Sequence, residues 1–323
     1  MKTGTRILLV ILCAAMVLAL PFVVSSPAML GEAKWDIMDR MDSGLLMFLP
    51  RAYAEETPDY TLPVELAPGY APSAEGYTDA GYEDDSIRVQ METREENGVV
   101  WRIAWVEIAS PTQLRTAIAG KKVTSEATAL VRDMANKNLA VVAINGDYYS
   151  NNPTKTSFEY RMGQKIRAKS NRLKDILIID ENGDFHTFIK SQGAMEFEQE
   201  TGHTIVNAFT FGPALVQNGE LLTMDKEYGY DPNDYNPRTA IGQNGPLSYV
   251  LVVAEGRGNN SKGATHQSLA DFMYGLGCVE AYNLDGGGTS VMVFNGEYYN
   301  KLTNSERATS DIIYFATAVE SKE

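Results

Sequence analysis

Apolar and polar positions alternate across 99–108. Val100, Arg102, Ala104, Val106 and Ile108 point one way, and Trp101, Ile103, Trp105 and Glu107 point the other. This spacing predicts a largely buried strand, with Trp101 and Trp105 read as core rather than as a sugar platform. Ala127, Leu130, Val131 and Met134 recur at helical spacing, so a helix is expected over 125–137, capped by Thr124 or Ser125, with an apolar strand at 139–144 after it. A second helix is expected over 265–276, with Leu269, Phe272, Met273 and Leu276 on one face. Gly277 ends it and the chain enters an apolar strand at 278–284. Asn182-Gly183, between strands expected at 176–180 and 185–189, marks a hairpin turn, and Asn218-Gly219, Asn244-Gly245 and Asn295-Gly296 mark others. The last strand is expected at 312–319. No internal repeat interrupts this pattern, which predicts one mixed α/β (α+β) domain over 86–319 with mainly antiparallel strands and a few helices.

What precedes that domain is different in kind. Lys2 and Arg6 stand before the unbroken apolar run 7–24, the order that export machinery favours, so 1–54 reads as a signal or anchor segment and the body of the protein as extracytoplasmic. The run is just long enough to span a bilayer, while Ala52-Tyr53-Ala54 offers a small-x-small cleavage site, so membrane attachment and secretion both stay open. Residues 55–85 hold nine acidic residues and four prolines with no Lys or Arg, which predicts an acidic disordered linker. The formal charge of −14 and a pI near 4.8 argue against a nucleic-acid partner, which would require a basic groove. Cys13 and Cys278 are the only cysteines and His186, His203 and His266 are far apart, so no Cys/His zinc site of usual spacing is available. No cofactor is implied; a carboxylate-bound calcium or magnesium stays open.

Candidate chemistry gathers where predicted strands end. The segment 282–290 finishes a strand at Asp285 and continues through Gly286, Gly287, Gly288, Thr289 and Ser290, a turn whose backbone N–H groups are expected to approach a ligand closely. Asn145-Gly146-Asp147 ends another strand and is followed by Tyr148 and Tyr149. Arg238 and Thr239 stand at a strand entry, where a planar guanidinium suits a phosphate. Glu255-Gly256-Arg257 ends a further strand, Arg307 follows in Asn304-Ser305-Glu306-Arg307, and a loop with Tyr228, Tyr230 and Tyr235 is a candidate pocket border. His266, near a helix start, reads as a surface residue.

In this order, Asn145-Gly146 with its aromatics, Gly-Pro-Ala-Leu-Val at 212–216, Pro-Arg-Thr-Ala-Ile-Gly at 237–242 and Asn-Leu-Asp-Gly-Gly-Gly at 283–288 resemble the phosphodiester glycosidase family. The resemblance covers about 86–318. It implies a hydrolase that cleaves a sugar-1-phosphodiester of the N-acetylglucosamine-1-phospho type at the glycosidic bond, with surface or extracellular glycopolymers such as exopolysaccharide as substrates. Carried over by position, it implies catalytic Asp285, Glu255 and Asp147, with Asn145, Arg238, Thr239, Gly286–Gly288, Thr289, Ser290 and Arg307 binding substrate and phosphate. Asp147 and Glu255 depart from the family's usual glycine and aspartate at those places. Two other classes stay open at this point: a non-catalytic wall-polymer binding module and a metal-dependent phosphodiesterase cutting the P–O bond.

Overall fold

The computed structural model describes residues 69–120, 127–147, 157–169, 174–224, 233–258, 260–302 and 305–320. These all belong to one compact unit, Tyr53–Glu323. The apolar run 7–24, Tyr148, Tyr149, Tyr228 and Tyr230 lie outside the described residues.

Every strand pairing in the three sheets is antiparallel, and three α-helices accompany them among the described residues, so the α+β expectation holds. The largest sheet has nine strands, in the spatial order Tyr77–Thr78, Gly81–Glu83, Ile87–Glu96, Val99–Ile108, Ser248–Ala254, Arg238–Gly245, Glu280–Asn283, Ala214–Gln217 and Glu220–Leu221. A five-stranded sheet runs Phe185–Phe188, Ile176–Asp180, Ile205–Phe209, Phe158–Arg161, Gln164–Ala168, and another Glu297–Tyr298, Met292–Phe294, Val142–Asn145, Asp311–Phe315, Leu114–Ile118.

The alternation read from the sequence sorts side chains onto the two faces of the large sheet. Ala104, Val106, Leu251 and Val253 meet Leu177, Ile179 and Phe209 of one smaller sheet and Ile144, Ile313 and Phe315 of the other. Trp101, Ile103, Val250 and Val252 face the opposite way, onto Leu269, Phe272 and Met273 of the helix His266–Gly275. The Trp101 ring stacks on Phe272 at 3.9 Å between centroids and 7° between planes. Trp105 is half-buried and donates from Nε1 to Glu92 Oε2 at 3.0 Å. Neither indole lines the cleft described below.

Several local readings change; the strands expected at 139–144 and 312–319 are Val142–Asn145 and Asp311–Phe315. Residues 69–85, expected within the acidic linker, are ordered: Tyr77–Thr78 and Gly81–Glu83 extend the large sheet. Tyr82 is the reason, because its ring is 2% exposed and its hydroxyl donates to Asp84 Oδ2 at 2.8 Å. Asp84 Oδ1 in turn accepts the amides of Ser86 and Ile87 at 2.7 and 3.0 Å, so its charge serves as a local cap. The first helix is Val131–Lys137, shorter than expected at its start. Ala129 is held extended in a bridge to Thr309, and Glu306 Oε1 accepts the Val131 amide at 2.6 Å in place of a Ser or Thr cap. Asn244-Gly245 belongs to a strand, and the turn comes one step later, after Gly245 has paired with Ser248. The second helix is as expected, with Thr265 accepting the Ser268 amide. No helix among the described residues is long and apolar enough to cross a membrane.

Truncating the stacked indole, Trp101→Ala, is expected to cost about 3 to 5 kcal/mol by chemical denaturation. A loss below about 1 kcal/mol would contradict its place in the core.

Candidate active site

Antiparallel pairing brings the candidate segments together. Strands Ser248–Ala254 and Glu280–Asn283 flank Arg238–Gly245 and run opposite to it, so both finish at the edge where it begins: Ala254 lies opposite Arg238 and Asn283 opposite Ala240. Glu255 follows directly on the first of those strand ends and Asp285 comes two residues after the second. Gly-Pro-Ala-Leu-Val at 212–216 supplies the strand beside Glu280–Asn283, where Asn283 Nδ2 donates to Gly212 O at 2.7 Å.

Asn145, fully buried at the end of its strand, joins the two sheets behind this edge. Its Nδ2 donates to Asp285 O at 2.8 Å, while its Oδ1 accepts from Thr239 Oγ1 at 2.8 Å and from the Val291 amide at 3.3 Å. Asn145 and Thr239, expected to bind substrate, therefore spend their polar atoms on each other and on the backbone of the glycine turn. They support the site from behind.

The turn itself needs its glycines. A side chain at Gly286 would stand 2.9 Å from Pro237 O, and Gly287 sits at φ +67°. The amides of Gly286, Gly287, Thr289 and Ser290 bond to Asp285 Oδ1, Pro237 O, Gly286 O and Gly287 O at 2.8, 2.9, 3.5 and 3.2 Å. The array of free N–H groups expected from the sequence thus contracts to the Gly288 amide. Arg307, about half exposed, donates from Nη2 to Asp285 Oδ2 at 2.8 Å, to Gly286 O at 3.1 Å and to Thr289 Oγ1 at 3.3 Å. Burial pushes the Asp285 carboxyl above the ordinary aspartate value, against the opposing pull of Arg307.

In front of the turn lies an open cleft of about 170 Å³, lined by Glu255, Arg257, Gly287, Gly288, Ser290, Asn300 and Lys301 among others. Glu255 is 1% exposed. Its Oε1 accepts from Arg102 Nε at 2.6 Å and from the Lys301 amide at 2.8 Å, and its Oε2 has no hydrogen-bond partner; nor has Ser290 Oγ. Both residues line the cleft, so these two atoms suit contact with a ligand there, whereas Glu159 Oε2, Asn207 Nδ2, Asn283 Oδ1 and Thr309 Oγ1 are unsatisfied elsewhere. Arg102, Arg257, Asn300 and Lys301 were not among the expected site residues. Glu255-Gly256-Arg257 carried a signal for Arg257, but nothing local marks Arg102, which reaches Glu255 across paired strands.

Two expected site residues face elsewhere. The Arg238 guanidinium is buried, donating to Ala264 O (3.1 Å), to His266 Nε2 (2.8 Å) and to Asp234 O (3.0 Å), so it pins the chain rather than presenting itself to a phosphate. His266, expected at the surface, is 1% exposed because it is the partner of that guanidinium. Asp147 is also buried: Oδ1 accepts from Arg161 Nη2 at 2.7 Å and Oδ2 from the Thr210 amide at 2.9 Å. Arg161 also pairs with Asp311 at 2.6 Å. Burial, with Glu159 and Asp311 adding negative charge, raises the Asp147 carboxyl well above the usual range despite Arg161. This is a buried ion network whose residues do not line the cleft.

The family model for phosphodiester glycosidases matches residues 138–316, and the chain belongs to that family. The SPbeta prophage-derived uncharacterized protein YomE of Bacillus subtilis (strain 168) is 34% identical over 108 residues, which is 33% of this chain but only 17% of that protein. The catalytic domain of zebrafish N-acetylglucosamine-1-phosphodiester alpha-N-acetylglucosaminidase, auto-inhibited by its pro-peptide, shares the fold with a TM-score of 0.58 and 16% identity, covering 77% of this chain and 87% of that one. A hypothetical protein from Synechocystis does so with a TM-score of 0.52 and 16% identity, covering 72% of this chain and 62% of that one.

Burial first, and the Arg238 charge second, push the His266 imidazole down from 6.5 to about 3. The unfolded chain therefore takes up a proton below pH 6.5 that the folded chain refuses. The stability this provides is complete above pH 6.5 and is lost as pH falls toward 3, at about 1.4 kcal/mol per pH unit. Urea denaturation at pH 7 and pH 5 should show a smaller drop for His266→Gln than for wild type, and equal drops would contradict this assignment.

Proposed function

We propose that this protein hydrolyses a sugar-1-phosphodiester, of the N-acetylglucosamine-1-phospho type, at the glycosidic bond. Glu255 carries the reading: in a member of this family it is a buried carboxylate with one oxygen held by Arg102 and the Lys301 amide and the other unpartnered at the wall of a cleft. Departure of the phosphate leaves positive charge on the anomeric carbon and ring oxygen, and a fixed carboxylate at that position stabilises it. Asp285 is not among the residues lining the cleft but stands directly before its glycine turn, and the family resemblance makes it the second carboxylate of the pair, its orientation set by Arg307 and the Gly286 amide. Water supplies hydroxide to the anomeric carbon and a proton to the leaving phosphate oxygen, giving free sugar and a phosphomonoester. A phosphate ester leaves readily, so clamping it counts for more than protonating it. Arg257, Lys301 and the Gly288 amide border the cleft and suit that role.

The apolar run 7–24 behind Lys2 and Arg6 supports action outside the cytoplasmic membrane, on surface or extracellular glycopolymers, with the segment retained as an anchor or removed. The full chain, incubated with the methyl phosphodiester of N-acetylglucosamine-1-phosphate, is expected to release N-acetylglucosamine and methyl phosphate. Glu255→Gln and Asp285→Asn should each lower kcat about a hundredfold or more with folding retained. Release of N-acetylglucosamine-1-phosphate instead would place cleavage at the P–O bond, and absence of any release from folded wild type would leave a binding module.

A further inference from the structure

His186 and His203 are too far apart in the chain to read as a metal motif, yet strand pairing brings them to one place. The strand Ile176–Asp180 lies between Phe185–Phe188 and Ile205–Phe209, with His186 opposite Ile178 and Ile205 opposite Asp180. Both histidines therefore stand beside the end of the middle strand, at Asp180 and Glu181. Asp180 Oδ2 lies 3.0 Å from His186 Nε2 and 3.9 Å from His203 Nδ1, and Glu181 Oε1 lies 3.0 Å from His203 Nδ1. The ligand atoms of Asp180, Glu181 and His203 all fall within 4.8 Å of one another. Tetrahedral zinc, with bonds of about 2.0–2.2 Å to nitrogen and oxygen, sets its ligand atoms about 3.3–3.6 Å apart. These three groups need only small movements to close on one ion.

Each carboxylate is already fixed through its other oxygen. Asp180 Oδ1 accepts the amides of Asn182 and Asp184 at 2.9 and 3.0 Å, and Glu181 Oε2 accepts the Thr204 amide at 2.7 Å. Oδ2 and Oε1 are thereby left toward the imidazoles. Gly202, at φ +78°, turns the chain back to the hairpin, and Thr201 Oγ1 accepts the His203 amide at 3.1 Å. The His186 ring packs on Phe197 at 4.8 Å between centroids, so its hydrogen bond orients Asp180 in the manner of an outer-shell partner. Asp180 is buried while both histidines are partly exposed, which gives the group a firm anchor and an opening to solvent. Asp184 adds a third negative charge at His203, a surplus that a divalent cation neutralises. Calcium prefers a sphere of oxygens alone, whereas zinc takes imidazole nitrogen and carboxylate oxygen together.

We propose that Asp180 Oδ2, Glu181 Oε1 and His203 Nδ1 bind one divalent cation of the zinc type, which clips the hairpin at 180–186 to the strand that follows His203. The site is structural: none of these residues lines the cleft, and the proposal does not depend on what the cleft hydrolyses. Cys278 is the one cysteine among the described residues, so no disulfide joins these segments. An ion bound only by the folded chain adds its binding free energy to the stability of the fold. Untagged full chain, freed of metal by a chelator and titrated with zinc chloride, should bind one zinc per chain. Its Tm should rise by about 5 °C or more once free zinc is about a hundredfold above Kd. His186→Ala should weaken zinc binding by about tenfold or more, and His203→Ala by more than that, with both metal-free variants still folded. Calcium at the same concentration should leave Tm unchanged. Absence of zinc binding by folded wild type, binding that survives His203→Ala undiminished, or an equal shift with calcium overturns the site.

Discussion

Asn145 has its amide and carbonyl shared among Asp285, Thr239 and Val291, and through those bonds the end of one small sheet is fastened to the edge of the nine-stranded sheet. A buried amide side chain can be tolerated at zero exposure only when both its ends are satisfied, and here satisfying them is what sets the position of the glycine turn. From Asp285 onward the turn has little freedom. Pro237 O lies where a Gly286 side chain would be, and Arg307 closes the outer side over Asp285 and Thr289. The cleft is therefore placed by a polar link between sheets rather than by any one loop.

That link explains a division of labour among the polar residues at this edge. Several polar groups deep in the structure are paired internally: Thr239 with Asn145, Arg238 with His266 and two carbonyls, Asp147 and Asp311 with Arg161. Among the described residues six buried side-chain atoms lack a partner, and two of them, Glu255 Oε2 and Ser290 Oγ, belong to residues of the cleft wall. Glu255 is held at a single oxygen, which fixes its direction and leaves the second oxygen for a ligand. Keeping a carboxylate in this state costs stability, and such costs collect where a protein does chemistry.

The same edge joins the site to the surface around it. Arg238 and Gly263 hold the segment that carries Tyr235, and Ser261 ties the adjoining segment to the backbone of Glu255. An acidic protein here presents cations locally, with Arg257 and Lys301 where the cleft opens.

Much of this was legible in the chain. Period-two alternation over Val99–Ile108, the Thr265 cap with Leu269, Phe272 and Met273 behind it, and the Asn-Gly turns at 182 and 295 are local signals, and the elements they predict are present because neighbouring residues alone decide them. The glycine run after Asp285 was equally legible, since consecutive glycines mark close backbone approach. What the chain did not disclose were partners distant along it. Tyr82 and Asp84 order a stretch whose composition reads as a linker, and Glu306 caps a helix whose own first turn lacks a cap. Arg238 and Asp147 have the residue types of a binding site but face into the protein, where His266 and Arg161 neutralise them, while Arg102 reaches Glu255 from a neighbouring strand. By itself the sequence determined the elements and the chemical types gathered at their ends, because period and turn chemistry act over a few residues. Only the tertiary structure decided which of those side chains are consumed inside and which remain for a substrate, because burial and pairing across sheets are set by residues far apart in the chain.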